Sequence, residues 1–270
     1  MRFDDVIGQA DVKKNLVSLV KDNRLSHALL FLSKEGAGGL SLALALSQYI
    51  VCEKVSRSDG PSLFGEPESA PIPDDACGIC SSCQKAAALV HPDIHFSYPV
   101  VPRKGGDKPV STDYISEWRE FIKMYPYGNT YDWLQFIGAE NKQGNITATE
   151  CNDIIRKLNL KSFESIYKIL VMWMPEYLGN EGNKLLKLIE EPPANTLFIL
   201  VAQEESKLLS TIISRTQQVR IPALETEDIS KALVSRAAAS PDAAHKAASV
   251  AEGNYREALQ LLQHAISHPQ

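Results

Sequence analysis

The chain has 270 residues, 44% of them hydrophobic and 23% charged, with a formal net charge of −5. That length allows one large or two modest domains with a sizeable core. No apolar run reaches the roughly 18 residues of a membrane span, and the acidic balance does not favour broad nucleic-acid binding by this chain alone.

The opening segment, MRFDDVIGQ, lacks the charged-then-apolar design of a secretory leader, so the expected compartment is the cytoplasm. Residues 12–23 place Leu16, Leu19 and Val20 on one face of an amphipathic helix. Residues 27–32 (HALLFL) predict a buried strand, and residues 38–52 predict a long apolar helix. Between them lies SKEGAGG. Strand, glycine-rich turn and helix form the setting in which backbone N–H groups cradle phosphate. The pattern for that task is G-x-x-x-x-G-K-[ST]. Aligned on Gly38, it finds Ser33 at the first glycine, Gly39 at the lysine and Leu40 at the hydroxyl residue. Two readings follow. Gly36, Gly38 and Gly39 offer amides to an anion, or they only shape a tight turn.

Residues 54–76 contain prolines and no periodicity and read as an inserted loop. Five cysteines are present: Cys52, Cys77, Cys80, Cys83 and Cys151. A reducing compartment argues against disulfides, and the two-residue gaps of CGICSSC read as metal binding. With Cys52, the four thiolates suit a closed tetrahedral zinc site. An iron–sulfur cluster also uses four cysteines, but its usual spacing is not found here. Cys151 reads as a plain buried thiol. A short helix runs to residue 90, a strand covers 91–100, and 102–111 is a polar, glycine-containing loop. His91 and His95 read as structural residues of that strand. Residues 114–138 carry Trp118, Phe121, Ile122, Trp133 and Phe136, which predict the helices of an extra subdomain. Core packing is favoured over base stacking there because Glu117 and Glu120 stand among the aromatics.

Thr147 and Glu150 form a capping box at the head of a helix over 146–158. Buried strands follow at 167–174 and 196–202, with a helix at 180–191 stopped by Pro192 and Pro193. A short helix over 206–214 and a last strand over 217–221 complete the series. This alternation predicts an α/β fold with a mostly parallel sheet and helices on its faces. After Pro222, residues 225–267 are alanine-rich and helical, a small second domain.

Five stretches carry a family resemblance: FDDVIGQ at 3–9, RLSHALLF at 24–31, NKLLKLIEEPP at 183–193, ISRT at 213–216 and EGNYREAL at 252–259. Over almost its whole length the chain resembles the AAA+ clamp-loader subunits of bacterial DNA polymerase III, of the delta-prime type. The resemblance implies a P-loop-type parallel sheet flanked by helices over 1–221 and an all-helical lid over 222–270. It places a zinc knuckle across 52–83, makes 54–76 and 102–145 insertions, and has the chain stop where a helical collar would begin.

The resemblance also implies a lysine and a hydroxyl on the phosphates and Mg²⁺, where Gly39 and Leu40 stand. It implies an acidic pair at the end of a second strand, where Trp173 and Met174 stand, with Glu176 single and past Pro175. A polar sensor is expected where Ala202 stands. These losses together predict no hydrolysis and, at most, weak nucleotide binding. In Ser214-Arg215-Thr216, where the family has cysteine last, the resemblance implies that Arg215 reaches into a neighbouring subunit's ATP site. A planar, always-charged guanidinium suits that task. The alternative for Arg215 is a surface arginine at a helix C-terminus. Arg256 matches a second-domain arginine that contacts phosphate within its own subunit; with the turn degenerate it reads as solvent-facing. The implied partners are ATPase subunits of the gamma/tau type and a delta subunit, and through them the sliding clamp and primer–template DNA, with no membrane. Two other functions compete: a clamp-loader ATPase with an atypical site, and a zinc DNA-binding module. The missing lysine and carboxylates weigh against the first, the acidic balance and closed metal site against the second.

Overall fold

The computed structural model describes residues 1–56, 71–139 and 141–267. Most of the expected insertion at 54–76 lies outside the described residues. Five strands, β1 (Ala28–Ser33), β2 (Ile94–Ser97), β3 (Lys168–Trp173), β4 (Thr196–Ala202) and β5 (Gln217–Ile221), form one sheet in the order β2-β3-β4-β1-β5. All pairings are parallel, with Leu30 opposite Leu200 and Val171 opposite Ile199. Parallel neighbours need crossover connections, so the helices lie on the faces. The central strands are therefore buried throughout rather than alternating.

Alternate residues still point to different cores. Leu29, Phe31, Val171, Ile199 and Val201 face one, shared with α1 (Ala10–Lys21), α2 (Gly39–Val51) and α3 (Ser81–Ala87). The same core takes in α4 (Ile115–Met124) and α5 (Thr130–Phe136) through Trp118, Phe121 and Trp133. Leu30, Leu170, Met172, Phe198 and Leu200 face the other, with α6 (Ala148–Asn159), α7 (Leu186–Glu190) and α8 (Ser210–Ile213). A third core, built on Ile229, Leu233, Ala248 and Leu262, belongs to α9 (Thr226–Ala237), α10 (Pro241–Val250) and α11 (Tyr255–Ser267). Among the described residues no helix is long and apolar enough to cross a membrane.

Three elements differ from the sequence reading. β2 is only four residues long, because Pro92 and Pro99 lack the N–H a ladder needs. The Tyr98 amide turns instead to Ser111 Oγ at 3.0 Å. Residues Gly179–Leu185 form a 3₁₀ helix and only Leu186–Glu190 is α-helical, since GNEGN is a poor helix former. The aromatic segment is not a subdomain of its own. Trp118 stacks on Tyr98 with ring centroids 4.1 Å apart and meets Trp133 edge-on at 5.5 Å. Trp173 of β3 joins the cluster, 5.6 Å from Trp118.

Half of the expected capping box forms. Thr147 Oγ1 accepts the Glu150 amide at 3.1 Å, but the Glu150 carboxylate accepts the Ser111 amide at 2.6 Å instead of returning to Thr147. A fully buried carboxylate thus ties the loop before α4 to α6. Burial pushes the Glu150 carboxyl above its ordinary 4.5; the Ser111 amide and Lys157 oppose the shift, and Asp153 adds to it. A carboxyl raised in the fold contributes stability that is complete below its ordinary value and is lost as pH rises through the raised one. Glu150→Gln keeps an oxygen for Ser111 and removes the titration. The urea midpoint of that variant should fall less than that of the parent between about pH 4.5 and neutral.

Candidate functional site

The turn between β1 and α2 is built for close approach. Gly36 and Gly38 have φ of +68° and +97°, where a side chain is strained. What approaches is protein. A Cβ on Gly36 would lie 1.9 Å from Asn254 Oδ1, one on Gly38 would lie 3.1 Å from the Tyr127 ring, and one on Gly39 would lie 2.4 Å from Ser33 Cβ. The Gly39 amide, at the first turn of α2, donates to Ser33 Oγ at 3.1 Å. The cavity left among Ser33, Gly38, Leu40, Tyr127, Trp173 and Met174 is ≈ 30 Å³. That is room for water and far too little for a phosphate chain.

The residues at the strand ends are spent on other tasks. Trp173 packs into the aromatic cluster, and Met174 takes a left-handed φ of 63°. Glu176 turns away and accepts the Gln203 and Glu204 amides at 2.9 and 3.1 Å. Burial raises the Glu176 carboxyl despite these bonds. Ala202 is buried at the end of β4.

Several residues that the sequence reading missed close over this turn. Glu35, inside it, accepts from Asn129 Nδ2 at 2.8 Å and from Asn254 Nδ2 at 2.9 Å. It therefore joins the segment before α5 to the segment before α11. The Tyr127 hydroxyl accepts the Ile7 amide at 2.9 Å, and its ring meets Tyr255 edge-on at 5.0 Å. The Tyr255 amide donates to Gly36 O at 3.1 Å. Arg256 is not solvent-facing. It forms a bidentate pair with Asp132 of α5, Nε to Oδ2 at 2.6 Å and Nη2 to Oδ1 at 2.8 Å. Asn129 and Asp132 cap α5 reciprocally, so Asp132 is held in place by its own helix. That N-x-x-D spacing was the available signal for it.

Arg215 stands elsewhere. Its Nε donates to Glu190 at the end of α7, and its Nη1 donates to Thr211 O at 2.9 Å. In the β1–β5 register Leu29 faces Gln217 and Ser33 faces Ile221. Arg215 thus precedes the amino end of β5, while the glycine turn follows the carboxyl end of β1. At about 3.3 Å per residue, the strand alone separates them by roughly 13 Å.

The four cysteines come together. Cys52 closes α2, and Cys77, Cys80 and Cys83 lead into α3; their sulfurs all lie within 4.8 Å of one another. Cys77 Sγ and Cys83 Sγ are 3.8 Å apart, close to the tetrahedral edge that follows from ~2.3 Å metal–sulfur bonds. The Cys77, Cys80 and Cys83 amides point at the sulfurs of Cys52, Cys77 and Cys80 at 3.3, 3.3 and 3.4 Å, which favours thiolate. Burial opposes ionisation of Cys77, but the Ile79 and Cys80 amides and the Cys80 and Cys52 thiols hold its pKa at about 6. Burial pushes Cys83 and Cys52 up. A cation bound among the four sulfurs would favour their thiolate forms. The donor set and spacing fit a closed four-sulfur metal site. Cys151 is buried apart from it, its pKa pushed up to about 11 by burial. His91 is buried too, its Nδ1 accepting the Asp93 amide at 3.1 Å, with Nε2 3.4 Å from Glu164.

The five-stranded parallel sheet, the glycine turn and the trailing helices define a protein of the AAA+ α/β fold. The RuvB Holliday junction branch migration motor of Thermotoga maritima is alike in fold, with a TM-score of 0.52 at 14% identity over 98% of this chain and 64% of that one. The family described as "DNA polymerase III, delta subunit" matches residues 8–225, and the chain belongs to it. Subunit delta' of DNA polymerase III from Bacillus subtilis (strain 168) is 26% identical over 253 residues, 94% of this chain and 59% of that one. Subunit tau of the same organism is 28% identical over 98% of this chain and 38% of its own length. The delta' subunit of Escherichia coli (strain K12) is 26% identical over 75% of this chain and 44% of its own length. The chain spans less than two thirds of each of these relatives.

The Asp132–Arg256 pair is mostly enclosed, with side chains 22% and 16% exposed. Burial pushes the Asp132 carboxyl up, but the Arg256 guanidinium and the Asn129 amide outweigh it and hold it below the ordinary 3.8. A depressed carboxyl contributes stability that is present above its ordinary value and lost as pH falls through the lowered one. Asp132→Asn should therefore destabilise the attachment of α9–α11 by about 1.5–3 kcal/mol at neutral pH, the range for hydrogen bonds to charged groups. Faster hydrogen exchange of the α11 amides, with little change in β1 and β4, is the expected readout.

Proposed function

We propose that this chain is a delta-prime-type subunit of a DNA polymerase III clamp loader that does not itself hydrolyse ATP. It works in the cytoplasm beside ATPase subunits of the gamma/tau type and a delta subunit. Through that assembly it takes part in loading the sliding clamp onto primed DNA. One observation carries the reading: the glycine turn is filled by Ser33, Tyr127 and Asn254, while Arg215 stands beyond the opposite end of the strands, away from that turn.

A phosphate chain needs space, amides and compensating cations. Here the space is ≈ 30 Å³, the Gly39 amide has an acceptor, Gly39, Leu40, Trp173 and Met174 bring no charge, and Lys34 is the only cation in the lining. Glu35, within the turn, would repel an anion. Arg256 already has a carboxylate partner in Asp132. Arg215 keeps its fixed charge outside this arrangement and supplies the arginine finger to the neighbouring subunit's ATP. There it stabilises negative charge on the transferring phosphoryl oxygens. Zinc is the metal proposed for Cys52, Cys77, Cys80 and Cys83. When bound, it supplies a closed cross-link with no reactive position. The chain's own contribution is to tie the end of α2 to the start of α3.

The purified chain should neither bind nor turn over ATP. Mixed with its ATPase partners it should support turnover that drops by roughly 10³-fold or more in Arg215→Ala, as expected for a finger acting in trans. Turnover by the chain alone would sink the reading. For the metal, elemental analysis of freshly purified protein should return one zinc per chain, lost in Cys80→Ser; a metal-free preparation would count against the knuckle.

A further inference from the structure

Arg215 does not hang free at the end of α8. α8 and α7 both pack on the second face of the sheet through Ile212, Leu188 and Ile189, which are buried. Their ends are therefore fixed relative to one another. From the end of α7, just before the helix-stopping Pro192 and Pro193, Glu190 Oε1 accepts the Arg215 Nε–H. The Nη1 group donates to Thr211 O at 2.9 Å and approaches Ser214 Oγ at 3.4 Å. The other carbonyls at this helix end already have a donor. Thr216 Oγ1 lies 3.1 Å from Ile212 O and 3.3 Å from Ile213 O. The guanidinium therefore meets the helix end at Thr211 O alone, through Nη1.

A guanidinium has five N–H donors in one plane. Two anchored edges fix that plane. The Nη2 group, with two N–H donors, has no hydrogen-bond partner among the described residues. Arg215 and Glu190 side chains are 32% and 47% exposed. A pair that open adds little to stability. Its consequence is geometric: it selects one rotamer of a long, flexible side chain and leaves one face of the fork outward.

We propose that Glu190 is the positioning residue for Arg215. It takes the Nε edge and so turns the Nη2 edge outward to meet the phosphoryl oxygens of a nucleotide held by a neighbouring chain. This inference rests on the reading of Arg215 as acting in trans. It assigns a task to the first glutamate of IEEPP. The prolines after it end α7, so the carboxylate stands at a fixed height opposite α8.

The test uses the complex reconstituted with its ATPase partner subunits and reads steady-state ATP hydrolysis. Glu190→Ala should lower kcat by roughly ten- to a hundred-fold, the scale expected for misplacing a catalytic group by about 1 Å, and leave KM unchanged. The urea midpoint of the isolated chain should stay where it is. Glu190→Gln keeps an oxygen for Nε–H and should recover most of the rate; no recovery would overturn positioning through that bond. In an Arg215→Ala background, Glu190→Ala should cost nothing further, because it acts only through the arginine. An additional loss there would overturn the proposal. If Arg215→Ala itself leaves turnover unchanged, the trans reading fails and this inference falls with it. If Arg215→Ala is impaired while Glu190→Ala is not, the trans reading stands and the positioning role alone is overturned.

Discussion

A helix that begins on a glycine turn exposes N–H groups without partners and the positive end of its dipole. Much of this molecule follows from how that end, the start of α2, is satisfied. In a phosphate-binding protein a ligand does it. Here Ser33 accepts the Gly39 amide, Tyr127 lies over Gly38, and the Glu35 carboxylate sits in the turn itself. Glu35 then holds Asn129 and Asn254, which brings the inserted segment and the last three helices to the same place. Where a nucleotide would join the two parts of the chain, protein side chains do so.

The Asp132–Arg256 pair extends this logic. An arginine aimed toward a phosphate site needs an anion, and a carboxylate from α5 supplies one with two charge-assisted hydrogen bonds. The aromatic cluster backs the arrangement from beneath. Trp173 fills the strand end with apolar volume and is in turn covered by Trp118 and Phe121. Across the sheet the chemistry is reversed. Arg215 is held by one carboxylate and one carbonyl, and its Nη2 group has no hydrogen-bond partner among the described residues. The glycine turn and Arg215 thus lie at opposite ends of the paired strands β1 and β5.

Much of the fold could be read from residue patterns. The unbroken runs at β1, β3 and β4 announced strands buried on both faces, and Pro192 and Pro193 marked the end of α7. CGICSSC announced a cluster of sulfurs, and the fold brings Cys52 to it across a long gap, since closing a loop costs entropy that grows only slowly with its length. The losses at Gly39, Leu40, Trp173 and Met174 were also visible one by one. Apart from the prolines that shorten β2 and the poor helix formers at 179–185, what misled the reading was contact between distant segments. The aromatic residues of 114–138 looked self-contained, yet they pack on β3. Glu150 looked like one half of a local cap, yet its carboxylate serves Ser111, 39 positions away. Arg256 looked solvent-facing because its partner lies 124 positions before it.

The sequence by itself determined which segments are strands and helices, that the sheet is parallel, that four thiols gather, and that the phosphate turn lacks its charged residues. These are local matters, set by periodicity, by proline and glycine, and by residue type at fixed spacing. Only the tertiary structure decided what fills the glycine turn, which carboxylate meets Arg256, and that Glu190 meets Arg215. Those pairings depend on where helices from separate parts of the chain come to rest on a common sheet. Side-chain identity permits such contacts, but packing against β1, β3 and β4 selects them.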